Sequence, residues 1–267
     1  MHIFHPISHA RTADEVAHQI EALVLEGVLR IGDRLPGERE LATETGVSRP
    51  IVREALKALE QAGIVESRHG EGTFIADVIG TVFTPQISAL LSSHRKAVFD
   101  YLEYRREVET VAARMAAVRA TASDRELLAA LAERMEVAWR NDDFDKEAAI
   151  DVEFHSLIGE MSHNLVLLHT LRSCYRLLSE GVFQNRSRLY ATPGGRDALY
   201  RQHRAIFEAI MKGDGESAAQ ASRAHLDYVI EATREMEQQQ ERERIAALRL
   251  QQREETMRPR QRKQAAQ

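Results

Sequence analysis

The spacing of apolar and polar positions divides the chain into a mixed amino-terminal quarter and a long helical remainder. In RTADEVAHQIEALVLEG, Val16, Ile20 and Leu23 fall on one helical face. Thr12 with Glu15 three places on forms a capping-box signature ahead of them. Gly32 and Asp33 interrupt that pattern, and LPGERELA restarts a short helix in which Pro36 suits the first turn and Leu41 points inward. Gly46 suits a tight turn, and Ser48 is a good N-cap for a third helix. There Val52, Ala55, Leu56 and Leu59 repeat at i, i+3, i+4 and i+7, until Gly63 ends the run. IVES and TFIA are β-branched runs joined by RHGEG, which predicts a hairpin. The order helix, helix, turn, helix, hairpin over residues 1–77 is that of a winged helix-turn-helix.

Residues 78–94, with Gly80, Pro85 and few charges, are expected to be a linker. From 95 to 235 every strong segment has helical period, with breaks near Thr121–Ser123, Asn141–Asp143, Ser162–Asn164, Thr192–Gly195 and Gly213–Gly215. About six helices in an antiparallel bundle follow from those breaks. Residues 236–267 are expected to be a polar extension of the last helix with a disordered basic tail. The fold class is therefore mainly α: a winged helix-turn-helix followed by an all-α antiparallel helical bundle.

Charge gives the third helix its interest. The chain carries a formal net charge of −5, and its first 76 residues hold eight Lys/Arg against twelve Asp/Glu, so no general basic field draws it to nucleic acid. Yet Arg49, Arg53 and Lys57 line up at i, i+4 and i+8 on the outer side of that helix, and Pro50 is tolerated because a first turn needs no N–H there. Long donors at the start of a helix can enter the major groove, where Arg binds guanine O6 and N7 bidentately. A tip made of Arg68, His69 and Gly70 is small and cationic enough for the adjacent minor groove. On an isolated helix the same arginines would read as a solvated face with Glu54 as partner. The turn before and the wing after them favour double-stranded DNA.

A second question arises in the bundle. Asp151 and His155, in DVEFHSLIGEMSHN, share a helix face at i, i+4. His203 stands among Leu199, Ile206 and Ile210, and His225 among Ala221, Tyr228 and Val229, both at core spacing. Spacing alone leaves two readings open. The three can be core histidines bonded to neighbours, or with Asp151 they can enclose a divalent ion, for which imidazole suits Zn, Ni, Mn or Fe. Asn164 and Asn185 are candidates for the polar lining of a ligand cavity. His94, His163, His169 and the N-terminal histidines lack such partners. Cys174, the single cysteine, excludes an intrachain disulfide and reads as a small buried hydrophobe in a reducing compartment. MHIFHPISHA does not have the form of a signal peptide, and no run of 18 apolar residues predicts a membrane span, so a cytoplasmic protein with no membrane partner is expected.

The stretch LRIGDRLPGERELATETGVSRPIVREALKALEQAGIVESRHGEGTFI resembles the GntR superfamily of bacterial transcription regulators along almost its whole DNA-binding module. The resemblance implies that Arg39, Arg49 and Arg53 contact the major groove, that Ser48 and Pro50 lie near phosphate, and that His69 and Gly70 form the minor-groove tip. The second region is similar to the FCD ligand-binding domain of the FadR branch. Metal-binding members of that branch carry an Asp-x-x-x-His pair, a histidine about 48 residues on and another about 22 beyond. Asp151, His155, His203 and His225 fill all four positions. The family's E-x-R signature falls on Glu103 to Arg105, which implies Arg105 as the cation for an acidic effector, with Arg106 its alternative. LVLLHTLRSCYRLLSEGVFQNRSRLY and HRAIFEAIMKGD are similar to the pyruvate- and lactate-responsive members.

The expected protein is a homodimeric regulator, by default a repressor, that reads a palindromic operator and responds to a small carboxylate such as pyruvate, lactate or glycolate at a metal site. Two other readings are a sensor with the ion itself as effector, and a metal-dependent enzyme with Glu153 or Glu160 as general base. The latter lacks a recognisable catalytic context, and no enzymatic activity is expected.

Overall fold

The computed structural model describes residues 13–77, 94–179, 189 and 194–264. Among them are nine helices and one two-stranded antiparallel sheet. The amino-terminal unit consists of α1 (Ala13–Leu25), α2 (Glu38–Thr45), α3 (Arg49–Gln61), β1 (Val65–Arg68) and β2 (Gly72–Ile75). Its core joins Val16 and Ile20 of α1, Leu41 of α2, and Val52, Ala55 and Leu59 of α3, all essentially inaccessible, with Val65 and Ile75 of the hairpin closing the far side. Each large aliphatic side chain removed from water contributes about 1.5–3 kcal/mol, so this small unit depends on the α3 stripe. Leu56, expected in that stripe, is only half-buried.

The expected capping residue Thr12 and the segment 78–93 lie outside the described residues. Pro36 is not in the first turn of α2, because the N-cap is Gly37, whose carbonyl accepts the Leu41 N–H. The reason is a pairing the local pattern does not announce. The chain before Pro36 is held extended against β2, through Leu35 N–H to Thr73 O, Ile75 N–H to Asp33 O and an Arg34–Phe74 bridge. Pro36 follows this extended run, as a proline favours. Ser48 is the N-cap of α3 and Pro50 stands in the first turn, although the Ser48 hydroxyl makes no capping bond. The β1–β2 register pairs Arg68 with Gly72, leaving His69, Gly70 and Glu71 as the tip. Gly70 takes a left-handed φ of +77°, which a three-residue hairpin loop demands of one member.

The helical unit comprises α4 (Arg95–Arg119), α5 (Ala122–Arg140), α6 (Phe144–Met161), α7 (Leu165–Ser179), α8 (Gly195–Lys212) and α9 (Gly215–Gln264). Ala112, Ala113, Ala116 and Ala117 give α4 a smooth buried face. Against it pack Phe154, Ile158 and Met161 of α6, Leu128 and Leu131 of α5, and Ile206 and Ile210 of α8. Starts are fixed locally: Thr121 and Asp124 form a reciprocal capping box on α5, and Asp143 accepts the Lys146 N–H at the head of α6. Helix α9 spans 50 residues, about 75 Å at 1.5 Å per residue. Among its described side chains the last buried one is Thr233, and those after Glu237 are exposed except for a half-buried Ile245. The helix nevertheless continues through the basic residues 258–264, where the sequence suggested a disordered end. Once nucleated, a stretch rich in Glu, Gln, Arg, Ala and Leu adds one backbone bond per residue ordered. No described helix is long and apolar enough to cross a membrane.

Candidate metal centre and DNA-reading surface

Three helices of the bundle each deliver one histidine to a common point. His155 comes from α6, His203 from α8 and His225 from α9, each with no more than 3% of its surface exposed. One ring nitrogen from each lies within 4.8 Å of the other two. His155 Nε2 and His203 Nε2 are 3.3 Å apart. Asp151, one turn before His155, places Oδ1 3.1 Å from His203 Nε2 and 3.8 Å from His155 Nε2. The His155 and His203 rings lie against Phe154, which is inaccessible to solvent, with centroids 5.6 and 5.2 Å away.

Second-layer oxygens face two of these rings. Glu109 Oε2 lies 2.8 Å from His155 Nδ1, and Gln202 Oε1 lies 2.9 Å from His225 Nδ1. A proton seated on each Nδ1 beside these oxygens would leave Nε2 as a lone-pair donor, the usual means by which a histidine is set up as a ligand. Glu109 Oε1 also accepts from Arg105 Nε at 2.6 Å, so one carboxylate joins a histidine to a buried guanidinium. Burial opposes both charges. Arg105 and His155 outweigh it for Glu109, whose pKa falls to about 2, and Glu109 in turn holds the Arg105 pKa above its ordinary value. The guanidinium carbon stands 5.8 Å from the Tyr101 ring centroid and 5.5 Å from that of Tyr175. Arg105 Nη2 and the Tyr175 hydroxyl are both buried without a hydrogen-bond partner. Burial raises the Tyr175 pKa well above normal, so that hydroxyl remains a donor. Cys174, beside it, is buried with its thiol pushed up to about 11 by desolvation.

The other sequence candidates fall elsewhere. Arg106 turns outward to Asp227 and Glu107. Asn164 does not line the centre: it stands just before α7, and its side-chain oxygen accepts the Leu167 N–H, a capping role. Asn185 lies outside the described residues. Glu153 is paired with Arg134 on an exposed face, and Glu160 with Arg30 and Arg172, so both suggested general bases are engaged away from the histidines. Glu109, Gln202 and Tyr175 were not selected from the sequence. The available signal was that Glu109 is four residues from Arg105 and three from Ala112, an acidic residue in line with a buried stripe.

In the amino-terminal unit, Arg39, Ser48, Arg49, Pro50, Arg53, His69 and Gly70 are all exposed. Arg53 binds Glu38 of α2 through two bonds, Nε to Oε1 at 2.9 Å and Nη2 to Oε2 at 2.7 Å. Arg49 Nη2 stands 3.6 Å from the same carboxylate. The partner is therefore Glu38, not Glu54, and the hydrogen bond from Arg53 is the chief cause of a lowered Glu38 pKa. Arg68 belongs to β1 rather than the tip, lying over the Phe74 ring at 4.3 Å.

Residues 12–75 match the bacterial regulatory proteins of the gntR family, and residues 100–228 match the FCD domain. A protein of Escherichia coli (strain K12), named for regulation of the L-lactate dehydrogenase operon, is 38% identical over 87% of this chain and 90% of its own length. The chain belongs to the gntR family of bacterial regulators. Within this GntR family it carries an FCD domain, as the FadR branch does, and it is a DNA-binding transcriptional regulator. The Glc operon transcriptional activator of Escherichia coli (strain K12) is 33% identical over 80% of this chain and 85% of that protein. The transcriptional regulator LutR of Bacillus subtilis (strain 168) is 31% identical over 78% and 94%. Among solved structures, one described as Streptococcus agalactiae GntR aligns with a TM-score of 0.51 at 26% identity, covering 82% of this GntR regulator and 99% of that chain.

Proposed function

We propose that this regulator is a homodimeric repressor that binds a palindromic operator through α3 and its wing and is controlled by a small carboxylate at a divalent metal held by Asp151, His155, His203 and His225. The observation that carries the reading is the pairing of a convergent, second-layer-supported histidine set with buried polar atoms that lack partners. The donor set fits a borderline ion such as Zn, Ni, Mn or Fe, three imidazoles and a carboxylate being a common ligand mix. Bound there, the ion supplies a Lewis-acidic point for one end of an acid. Arg105 Nη2 and the Tyr175 hydroxyl are two donors in want of acceptors, and a carboxylate or 2-oxygen substituent would satisfy them. Glu109 keeps Arg105 charged and in place. Lactate, pyruvate and glycolate have this chemistry, and a relative named for the L-lactate dehydrogenase operon favours an acid of that size.

At the DNA end, Arg39, Arg49 and Arg53 would read the major groove, Ser48 and Pro50 would adjoin phosphate, and His69 with Gly70 would enter the minor groove. A bound acid can alter operator affinity only by favouring one arrangement of the two heads over another.

The test uses a duplex selected from a random pool by the wild-type protein. The protein is stripped with EDTA and then reloaded with zinc. The expected result is stoichiometric zinc in the wild type, loss of zinc in a folded His203→Ala variant, and release of the duplex by one of the three acids from zinc-loaded protein only. Full zinc occupancy in His203→Ala removes that ligand. Release by zinc alone, with no added effect of any acid, makes the ion the effector instead.

A further inference from the structure

A contact between the two units lies outside both sites. The turn that leaves α1 rests on α6 and α7 around one carboxylate. Arg30 Nη2 approaches Glu160 Oε1 at 3.1 Å, and Arg172 Nη2 approaches the same oxygen at 2.8 Å. Arg172 also reaches the Gly27 carbonyl at 3.4 Å, and His169 Nε2 lies 2.9 Å from the Leu25 carbonyl. Gly27 has a φ of +74°, a left-handed value that favours glycine, and Arg172 Nη2, the movable end of a long side chain, lies over the position a Cβ would take. Beside the clamp is a cavity of about 460 Å³, lined by Val24, Leu25, Leu29 and Ile31 from the head and by Ser156 and His169 from the bundle. The apposed surfaces are thus tied by polar contacts that border an open cleft.

We propose that Glu160 is the coupling point through which the state of the histidine centre reaches the DNA-binding head. Glu160 lies five residues after His155 on α6, about 7.5 Å along the same rigid rod. Arg172 lies three residues before Tyr175 on α7, whose ring centroid is 6.2 Å from that of His155. Between the two ends, Gly159 of α6 meets Leu171 of α7 so closely that an added Cβ would be 3.2 Å from Leu171 Cδ1. Helices packed this tightly shift together rather than deform separately. A ligand that draws His155 toward His203 and His225 therefore displaces Glu160 and Arg172 as a pair, and the Leu25–Ile31 turn follows them. The head responds because its docking is fixed by few, partly exposed ion pairs beside an open cleft. This inference rests on ligand control at the histidine centre.

Hydrogen exchange of the full chain, stripped with EDTA or loaded with zinc alone, tests it without knowledge of operator or effector. In the wild type, zinc should slow exchange of amides 24–31. In Glu160→Gln, those amides should exchange about threefold faster before loading, as suits the loss of ion pairs of this exposure, and zinc should no longer change them although it still binds. Arg30→Gln, on the exposed rim, should act in the same direction and cannot disturb the packing of α6. A zinc response at 24–31 that survives in both variants overturns the coupling, as does zinc binding to the wild type with no change there. Failure of the wild type to bind zinc overturns the metal centre instead. The docking role of Glu160 is then decided by the unloaded exchange rates, and equal rates in wild type and both variants refute it.

Discussion

Glu109→Gln separates what the buried carboxylate does for the fold from what it does for the histidines. In the wild type Glu109 and Arg105 are each about 4% exposed at the side chain and are 2.6 Å apart. The amide keeps the shape and an acceptor oxygen but removes the charge, leaving a guanidinium uncompensated in the interior. Breaking one side of such a pair costs about 3–5 kcal/mol, which for a domain of this size is about 6–20 °C in the unfolding temperature of the stripped protein. The second effect is on His155, whose Nδ1 lies 2.8 Å from the carboxylate. A neutral acceptor polarises that ring less, and zinc affinity should fall by about tenfold, the lower end for the loss of such a partner. Adding Arg105→Met removes the stranded charge and should restore most of the stability, but not the zinc affinity. The assays are thermal unfolding by circular dichroism after EDTA treatment and zinc competition against a chromogenic chelator. An unfolding temperature within about 2 °C of wild type would refute the buried-pair argument. Recovery of zinc affinity together with stability in the double variant would show that Glu109 acts on the metal only through the fold.

Arg49→Ala should weaken binding to the selected duplex by about 1–3 kcal/mol and relax base preference at one position, read by anisotropy with single-base variants of the duplex; unchanged affinity would remove Arg49 from the reading surface. Asp124→Asn should cost about 0.5–2 kcal/mol at neutral pH through the capping box of α5. Burial raises the Asp124 pKa, but bonds from Thr121 and His163 outweigh it, so the folded pKa lies below the ordinary value. The stabilisation is therefore complete above about pH 4 and disappears as the pH falls through the lower folded value. Denaturant melts across that window check it, and a wild-type advantage that grows on acidification would contradict the assignment.

The elements that could be read from sequence are those whose signals are local. Val52, Ala55 and Leu59 declare α3 by their spacing alone, and Gly70 marks the hairpin tip. The breaks at Asn141–Asp143 and Gly213–Gly215 delimit helices because Asp143 and Gly213 do their work within a few residues. What escaped is what depends on distant partners. The pairing of Asp33–Leu35 with β2 crosses about 40 residues and leaves no periodic trace. Glu38 lies 15 residues from Arg53, across the turn, whereas helical spacing points to Glu54. Glu109 is one of many acidic residues until the fold brings His155 to it from 46 positions away. Asn164 is the opposite case: an Asn before an apolar helical run is a local cap, a role its immediate neighbours suffice to define.

Glu38 has a consequence for how the head discriminates among sequences. By binding Arg53 at both carboxylate oxygens and standing near Arg49, it is a tethered rival for any anion that approaches α3. A phosphate of random sequence exchanges one oxyanion for another, with little net gain and a displaced glutamate left facing a polyanion. A site that also offers the paired acceptors of a guanine edge supplies directional bonds and can displace the rival. On the proposed reading of α3, weak adhesion to bulk genome would follow from the head itself, in keeping with an amino-terminal unit that carries more acidic than basic residues.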